Sequence, residues 1–283
     1  LKHEIAGLVR NALWNIRITE NRRELAQKIL AVADELLRVV RRRVELGDMS
    51  KSDMLLAESD ALEKRSQLMQ AEAEVIHANK AYHSLTRTRL MPGRFDEPLA
   101  KEIALTDSHP ALAAATASVE RAQAEVDFVR LSKQGNQPSV LIGTDSTSVS
   151  RSRDYGTGTN LVFQIPIGGD DWHAPQVAQA NILLNEKLAQ REGLHRQLEK
   201  AAHEAEHILD LDQKALVVAS RRKEIAEEQL RMSKIALENG EISMIDYLKI
   251  QTTAQTALRD AAERKILVLK DISTLHQAVG ISP

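Results

Sequence analysis

"VELGDMSKSDML" (Val44–Leu55) breaks what otherwise reads as one long charged helix. Gly47 can take the left-handed conformation that ends a helix. Ser50 can cap the next helix, with Asp53 at its third position, a capping box with Asp in place of Glu. The two helices must then fold back antiparallel, so the break is the tip of a helical hairpin. A near-copy, "LENGEISMIDYL" (Leu237–Leu248), lies 193 residues further on, with Gly240, Ser243 and Asp246 in the same roles.

The similarity extends outward from the tips. Shifting the chain by 193 residues places Leu37, Arg38, Glu45, Gly47, Ser50, Asp53 and Leu55 on Leu230, Arg231, Glu238, Gly240, Ser243, Asp246 and Leu248. Two apolar stripes coincide as well: Ile18, Leu25, Val32 and Val39 against Leu211, Val218, Ile225 and Met232. Apolar residues at seven-residue steps mark a coiled-coil seam, so both stripes are expected to form one. A shared frame of breaks, stripes and identities reads as an internal duplication.

The composition agrees with long helices. The chain is 43% apolar and 28% charged but only 3% aromatic, fewer large rings than a compact globular core usually holds. A net charge of −2 gives no global field toward nucleic acid or anionic lipid. With no cysteine, disulfide and thiolate–metal chemistry are closed. No apolar run is long enough for a membrane-spanning helix, and the first residues do not read as a signal peptide.

Three regions follow. Residues 1–86 are the first-repeat helical hairpin, residues 87–108 a linker punctuated by Pro92, Gly93 and Pro98, and residues 109–283 the second repeat. The second repeat is expected to hold a helix at 110–133 behind "DSHP", a β-hairpin at 138–169, a long helix at 174–239 and a return helix at 243–279. That long helix would measure roughly 100 Å at the standard rise. In the second strand Leu161, Phe163, Ile165 and Ile167 share a face and Gln164 lies on the other; the tip is the polar "SRSRDYGTG". The first repeat has no counterpart for its own hairpin. We therefore expect roughly 85 or more residues to precede this chain in the native protein, since a repeat needs its partner to bury its face.

Four features could carry function. At the tips, Leu46, Met49 and Ile242 are apolar residues on polar turns, which suggests a partner. The hairpin strands have the length of outer-membrane strands. Two strands cannot close a barrel, and an open edge is not tolerated in lipid, so a membrane role needs strands from several subunits. His203 and His207, four apart on one helix face with His195 upstream, could approach a zinc or nickel ion; zinc sites want three or four ligands, so no metal is expected. Arg38, Arg41, Arg42 and Arg43 read as a solvated charged face. No phosphate loop, positioned nucleophile or metal-hydrolase helix appears, so no enzyme activity and no cofactor are expected.

The chain resembles the TolC-type outer-membrane factor family. The resemblance rests on "RRRVELGDMSKSDMLLAESD" and "KIALENGEISMIDYLKIQ" at the tips, "HPALAAATASVERAQAEV" where the second repeat starts, and "LVFQIPIGGDDWHAPQVAQAN" where strand runs into long helix. The last of these, with "EIAGLVRNALWNI", looks most like the heavy-metal-exporting, CzcC-like branch. The resemblance implies a mainly α fold of long antiparallel coiled-coil hairpins in a duplicated unit. It also implies that the β-hairpin joins a homotrimer's twelve-stranded barrel in outer-membrane lipid, above a periplasmic helical tunnel. It implies the exit duct of a tripartite efflux system, partnered by an inner-membrane transporter and a periplasmic adaptor. Docking to the adaptor would fall to Val44, Leu46, Gly47, Asp48, Met49 and Ser50 on one tip, and to Leu237, Asn239, Gly240, Glu241, Ile242 and Ser243 on the other. Asp246 matches a family gate position, while Lys249 stands where a second acid is often found. The rival reading is a soluble coiled-coil scaffold or an adaptor-like hairpin protein. The latter would add a compact lipoyl-like β domain, and the alternating hairpin at 138–169 is not needed by the former.

Overall fold

The computed structural model of the chain describes residues 2–100, 103–132, 138–148, 155–165 and 174–281. Its elements are α1 (Lys2–Glu45), α2 (Lys51–Thr86), α3 (Pro110–Ser132), β1 (Ser139–Ser148), β2 (Tyr155–Gln164), α4 (Ala174–Glu238) and α5 (Met244–Val279). The fold is mainly α, built from long helical hairpins in a duplicated unit with one antiparallel β-hairpin.

Both breaks form by the expected chemistry. Gly47 has φ +83° and Gly240 φ +75°. Around Gly47, Asp48 N–H reaches Arg43 O at 2.8 Å and Gly47 N–H reaches Val44 O at 3.1 Å. Around Gly240, Glu241 N–H reaches Ala236 O at 2.8 Å and Gly240 N–H reaches Leu237 O at 3.1 Å. This paired closure uses carbonyls that a helix end otherwise leaves orphaned. The restarts differ slightly. Ser50 and Asp53 form the full reciprocal box, whereas Ser243 accepts from Asp246 N–H and its hydroxyl bonds Asp246 Oδ2. For α3 the cap is His109, whose Nδ1 accepts from Ala111 N–H at 3.2 Å.

The chain divides into two compact units, which cut across the repeat: Leu1–Thr106 with Leu198–Pro283, and Asp107–Gln197. In the first, α1 packs on α2 and on α5, and the tip-proximal part of α4 joins them. Its buried seam is not the one the apolar stripes suggest. Thr19, Ala26, Ala33 and Val40 are buried on α1, and Ala219, Ala226 and Ser233 stand buried at the equivalent positions of α4. Val32 and Val39, by contrast, are 51% and 45% exposed, and Leu211, Val218, Ile225 and Met232 are all more than half exposed. The seam lies one residue on from the stripe, a rotation of about 100° around the helix. Small residues win it because they let helix backbones approach closely and cost no side-chain entropy. Of the stripe on α1, only Leu25 is fully buried. On α2 the same division appears: Ala57, Lys64, Ala71 and Ala78 are buried, while Leu55, Leu62, Met69 and Ile76 form an exposed stripe.

The second unit holds α3, the hairpin and the first part of α4. Leu112, Ala122, Val126 and Ala180 are buried there, and Arg191 of α4 donates to Thr116 Oγ1 at 3.0 Å and Asp107 Oδ1 at 2.9 Å. In the hairpin Val140 faces Phe163, Leu141 faces Val162 and Ile142 faces Leu161. Alternation puts Val140, Ile142, Leu161, Phe163 and Ile165 on one face, all exposed. Ile167 and most of the polar tip, 150–154, lie outside the described residues. Among the described residues no helix is long and apolar enough to cross a membrane.

Candidate docking site at the helical tips

The two tips share one core. Val40, Ala57, Leu237, Met244 and Tyr247 are buried together, with Val44, Met49, Met54, Leu230 and Ile242 packed against them. This changes the roles expected of the tip residues. Leu237 is buried beneath the tips, and Met49 and Ile242 are half-buried against that core rather than projecting from it. Leu46 is the outlying apolar residue, 60% exposed. Gly47, Asp48, Ser50, Asn239, Gly240, Glu241 and Ser243 are exposed on the turns, and Val44 is half-buried below them.

One side chain ties tip to tip. Arg43 Nη2 donates to Glu238 O at 2.8 Å, so an arginine of α1 caps the last carbonyl of α4. Ala236 stands at the repeat-equivalent position, so this bond has no reciprocal in the other copy. The rest of the arginine cluster is solvated as expected, Arg38 pairing with Glu35 and Arg42 with Glu45. The repeat of Arg38–Glu35 is Arg231–Glu228 on α4.

A groove of about 590 Å³ runs between α1 and α4 beside the tips. Val32, Leu36, Val39, Leu230 and Tyr247 give it apolar walls, and Glu35, Arg43, Glu227, Arg231 and Lys234 charge its lining. A second, more polar groove of about 500 Å³ lies between the tips themselves and includes Arg43, Asp48, Asp53 and Glu238. This is the shape and chemistry of a surface that can seat amphipathic helix: apolar ridges to fill the floor, charges of both signs at the edge.

Asp246 lies on the exposed side of the second tip. Its carboxylate is held below the ordinary range, first by the Ser243 hydroxyl, which outweighs the opposing desolvation, and then by the charge of Lys249 and a bond from it. Lys249 Nζ stands 3.5 Å from Asp246 Oδ1. The two residues therefore present a paired charge rather than a bare carboxylate. His203 and His207 are exposed on α4, and among the described residues no three acidic or histidine side chains are grouped to hold a metal.

Residues that sequence reasoning missed lie in the linker. Its described residues form a strap riveted to the helices. Tyr82 Oη donates to Leu90 O at 3.0 Å, Phe95 packs edge-to-face on Trp14 at 5.0 Å, and Arg17 bonds Asp96 at 2.7 Å while covering both rings. Arg10 grips Glu97 through Nε at 2.8 Å and Nη2 at 2.9 Å. Contacts spanning this much chain leave no local pattern to read.

No protein-family model matches the sequence, and no curated protein matches it. Solved structures do match the fold. The outer membrane protein VceC of Vibrio cholerae superposes with a TM-score of 0.76 at 15% identity, covering 98% of this chain and 70% of its own. The open-state outer membrane channel MtrE of Neisseria gonorrhoeae gives 0.72 at 18% identity, covering 98% and 67%. The outer membrane channel CmeC of Campylobacter jejuni gives 0.71 at 15% identity, covering 98% and 62%. This chain thus spans about two thirds of the length of the channels it resembles.

Proposed function

We propose that the chain is part of an outer-membrane efflux duct that docks a periplasmic adaptor through its two helical tips. The observation that carries this reading is the shared fold: channels of the outer membrane match it over 98% of its length. In this reading the β-hairpin contributes to a barrel shared by three copies, and the helices build a tunnel wall in the periplasm. The exposed stripes fit such an assembly. Rows of half-exposed Leu, Val, Ile and Met on α1, α2 and α4 are apolar surface that a soluble monomer would not normally leave open. The duct does no chemistry and binds no cofactor. Energy comes from an inner-membrane transporter coupled through the adaptor.

The charged-edged grooves beside and between the tips are the seats offered to the adaptor's helices. Leu46 supplies the protruding apolar contact, and the turns at Gly47 and Gly240 set the entry angle. Asp246 with Lys249 forms the candidate gate, as a ring of paired charges when three copies meet. The wording around Ile165 and Ala174–Asn181 further suggests a metal cation as cargo. The test uses the whole protein in its native membrane. Leu46→Glu and the double change Gly47→Leu with Gly240→Leu are expected to abolish crosslinking to the adaptor and to lower resistance at least tenfold, the size of a lost interface anchor. Undiminished crosslinking and resistance would falsify adaptor docking at the tips. Sensitivity to metal salts but not to organic toxicants, in a strain lacking the protein, is the outcome expected for cation cargo.

A further inference from the structure

We propose that His276 is a pH-sensitive clasp: protonating its imidazole releases Ala100 from α5, while Arg10 and Glu97 keep the preceding part of the strap in place. His276 is 3% exposed and both its ring nitrogens are engaged. Ala100 N–H points to Nε2 at 3.2 Å. A backbone amide only donates, so Nε2 must hold a lone pair. Nδ1 lies 2.8 Å from Glu97 Oε2, which already accepts from Arg10 Nη2. An ionised carboxylate only accepts, so Nδ1 carries the proton. The ring is thereby fixed as the neutral Nδ1–H tautomer.

A further proton can go only to Nε2. That turns the acceptor into a donor facing the Ala100 donor, and their bond is lost. The other contacts survive. The Nδ1–H bond to Glu97 becomes charge-assisted. Arg10 stays bidentate on Glu97 and bonded to Gln277 Oε1 at 2.6 Å, and Ser273 Oγ still donates to Glu97 Oε1 at 3.2 Å. The facing groups from each packed element are consistent with a local release. The strap presents Glu97, α1 presents Arg10 behind it and His3 against Gln277, and the nearby α4 residues packed on Leu275 and Val279 are the apolar Ala205 and Leu209. Beyond Glu97 the strap is then held to this cluster by the packing of Ile103.

The experiment is a pH titration of the whole chain by nitrogen-15 NMR, with amide exchange read at Ala100. Near pH 7.5 the ring is expected to show Nδ1 protonated and Nε2 bare. Protection of the Ala100 amide, corrected for intrinsic exchange, is expected to fall about tenfold in the same step in which the ring titrates, the effect of losing one hydrogen bond. His276→Gln, whose Oε1 can replace Nε2 as a non-titrating acceptor, is expected to keep Ala100 protected at both ends of the range. A neutral ring protonated on Nε2, a ring that never titrates, or an Ala100 amide still protected beside a charged ring each overturns the proposal. Should His276→Gln fail to fold, the unmutated titration decides alone.

Discussion

Asp271 shows how much one buried group can set the response of this protein to pH. It is 9% exposed on α5, and its Oδ2 has no hydrogen-bond partner. Burial pushes its carboxyl up to about 6, helped by a hydrogen bond to Asp212 of α4 and by that neighbour's charge, with Lys270 opposing. The folded state holds this proton more tightly than the unfolded chain, so the contribution of Asp271 to stability falls as pH rises from about 4 to about 6 and is level above that. Asp271→Asn keeps the shape and removes the charge. We expect it to raise stability at pH 7 by roughly 1–2 kcal/mol, after discounting for solvent screening, and to flatten the slope between pH 4 and 6. Urea melts of both proteins across that range check it; an unchanged slope would exclude Asp271 as the source.

At the scale of elements, the strap is the part most dependent on a few bonds. Its Glu97 is a half-buried acceptor: burial pushes the carboxyl up, but bonds from Arg10 and His276, the charge of Arg10 and a bond from Ser273 outweigh it, so the group sits below its ordinary range. Such a group stabilises the fold above its unfolded value, and that contribution is lost as pH falls through the lowered folded value. Arg10→Met leaves Glu97 without its main counter-charge, and a broken buried pair costs about 3 kcal/mol. We expect that loss, together with rapid proteolysis between Arg87 and Glu97 while the two helical tips remain protected. Equal loss of protection at the tips would mean that the strap and the hairpins unfold as one. The hairpin elements themselves were legible without a structure, because Gly47, Gly240, Ser50 and Ser243 act through neighbours within six residues. The strap was not, because Arg10 meets Glu97 across 87 residues and Gln277 across 267.

At the scale of the molecule, the exposed stripes argue for association. Leu55, Leu62, Met69 and Ile76 on α2 and Leu211, Val218, Ile225 and Met232 on α4 are apolar rows beside alanine-lined seams. Each row repeats at seven residues, the period of a coiled-coil contact. We predict that Val218→Ser with Ile225→Ser lowers self-association of the chain at least tenfold in sedimentation experiments. Its helical content should hold, since neither side chain lies in the intramolecular core. A matching fall in helicity would show instead that these rows stabilise the single chain.

The duplication, the two capped tips and the order of helices and strands were legible in the residues alone. These depend on glycine conformation, capping hydroxyls and periodicity, all of which act between near neighbours. Long-range packing set which stripe is the seam, seated both tips on one core under an Arg43 cap, and fastened the described part of the linker as a strap. Adjacent stripes on a helix differ only by rotation, and rotation is set by what packs against the helix. A bond such as Arg10–Glu97 becomes visible only after the chain has brought its distant ends together.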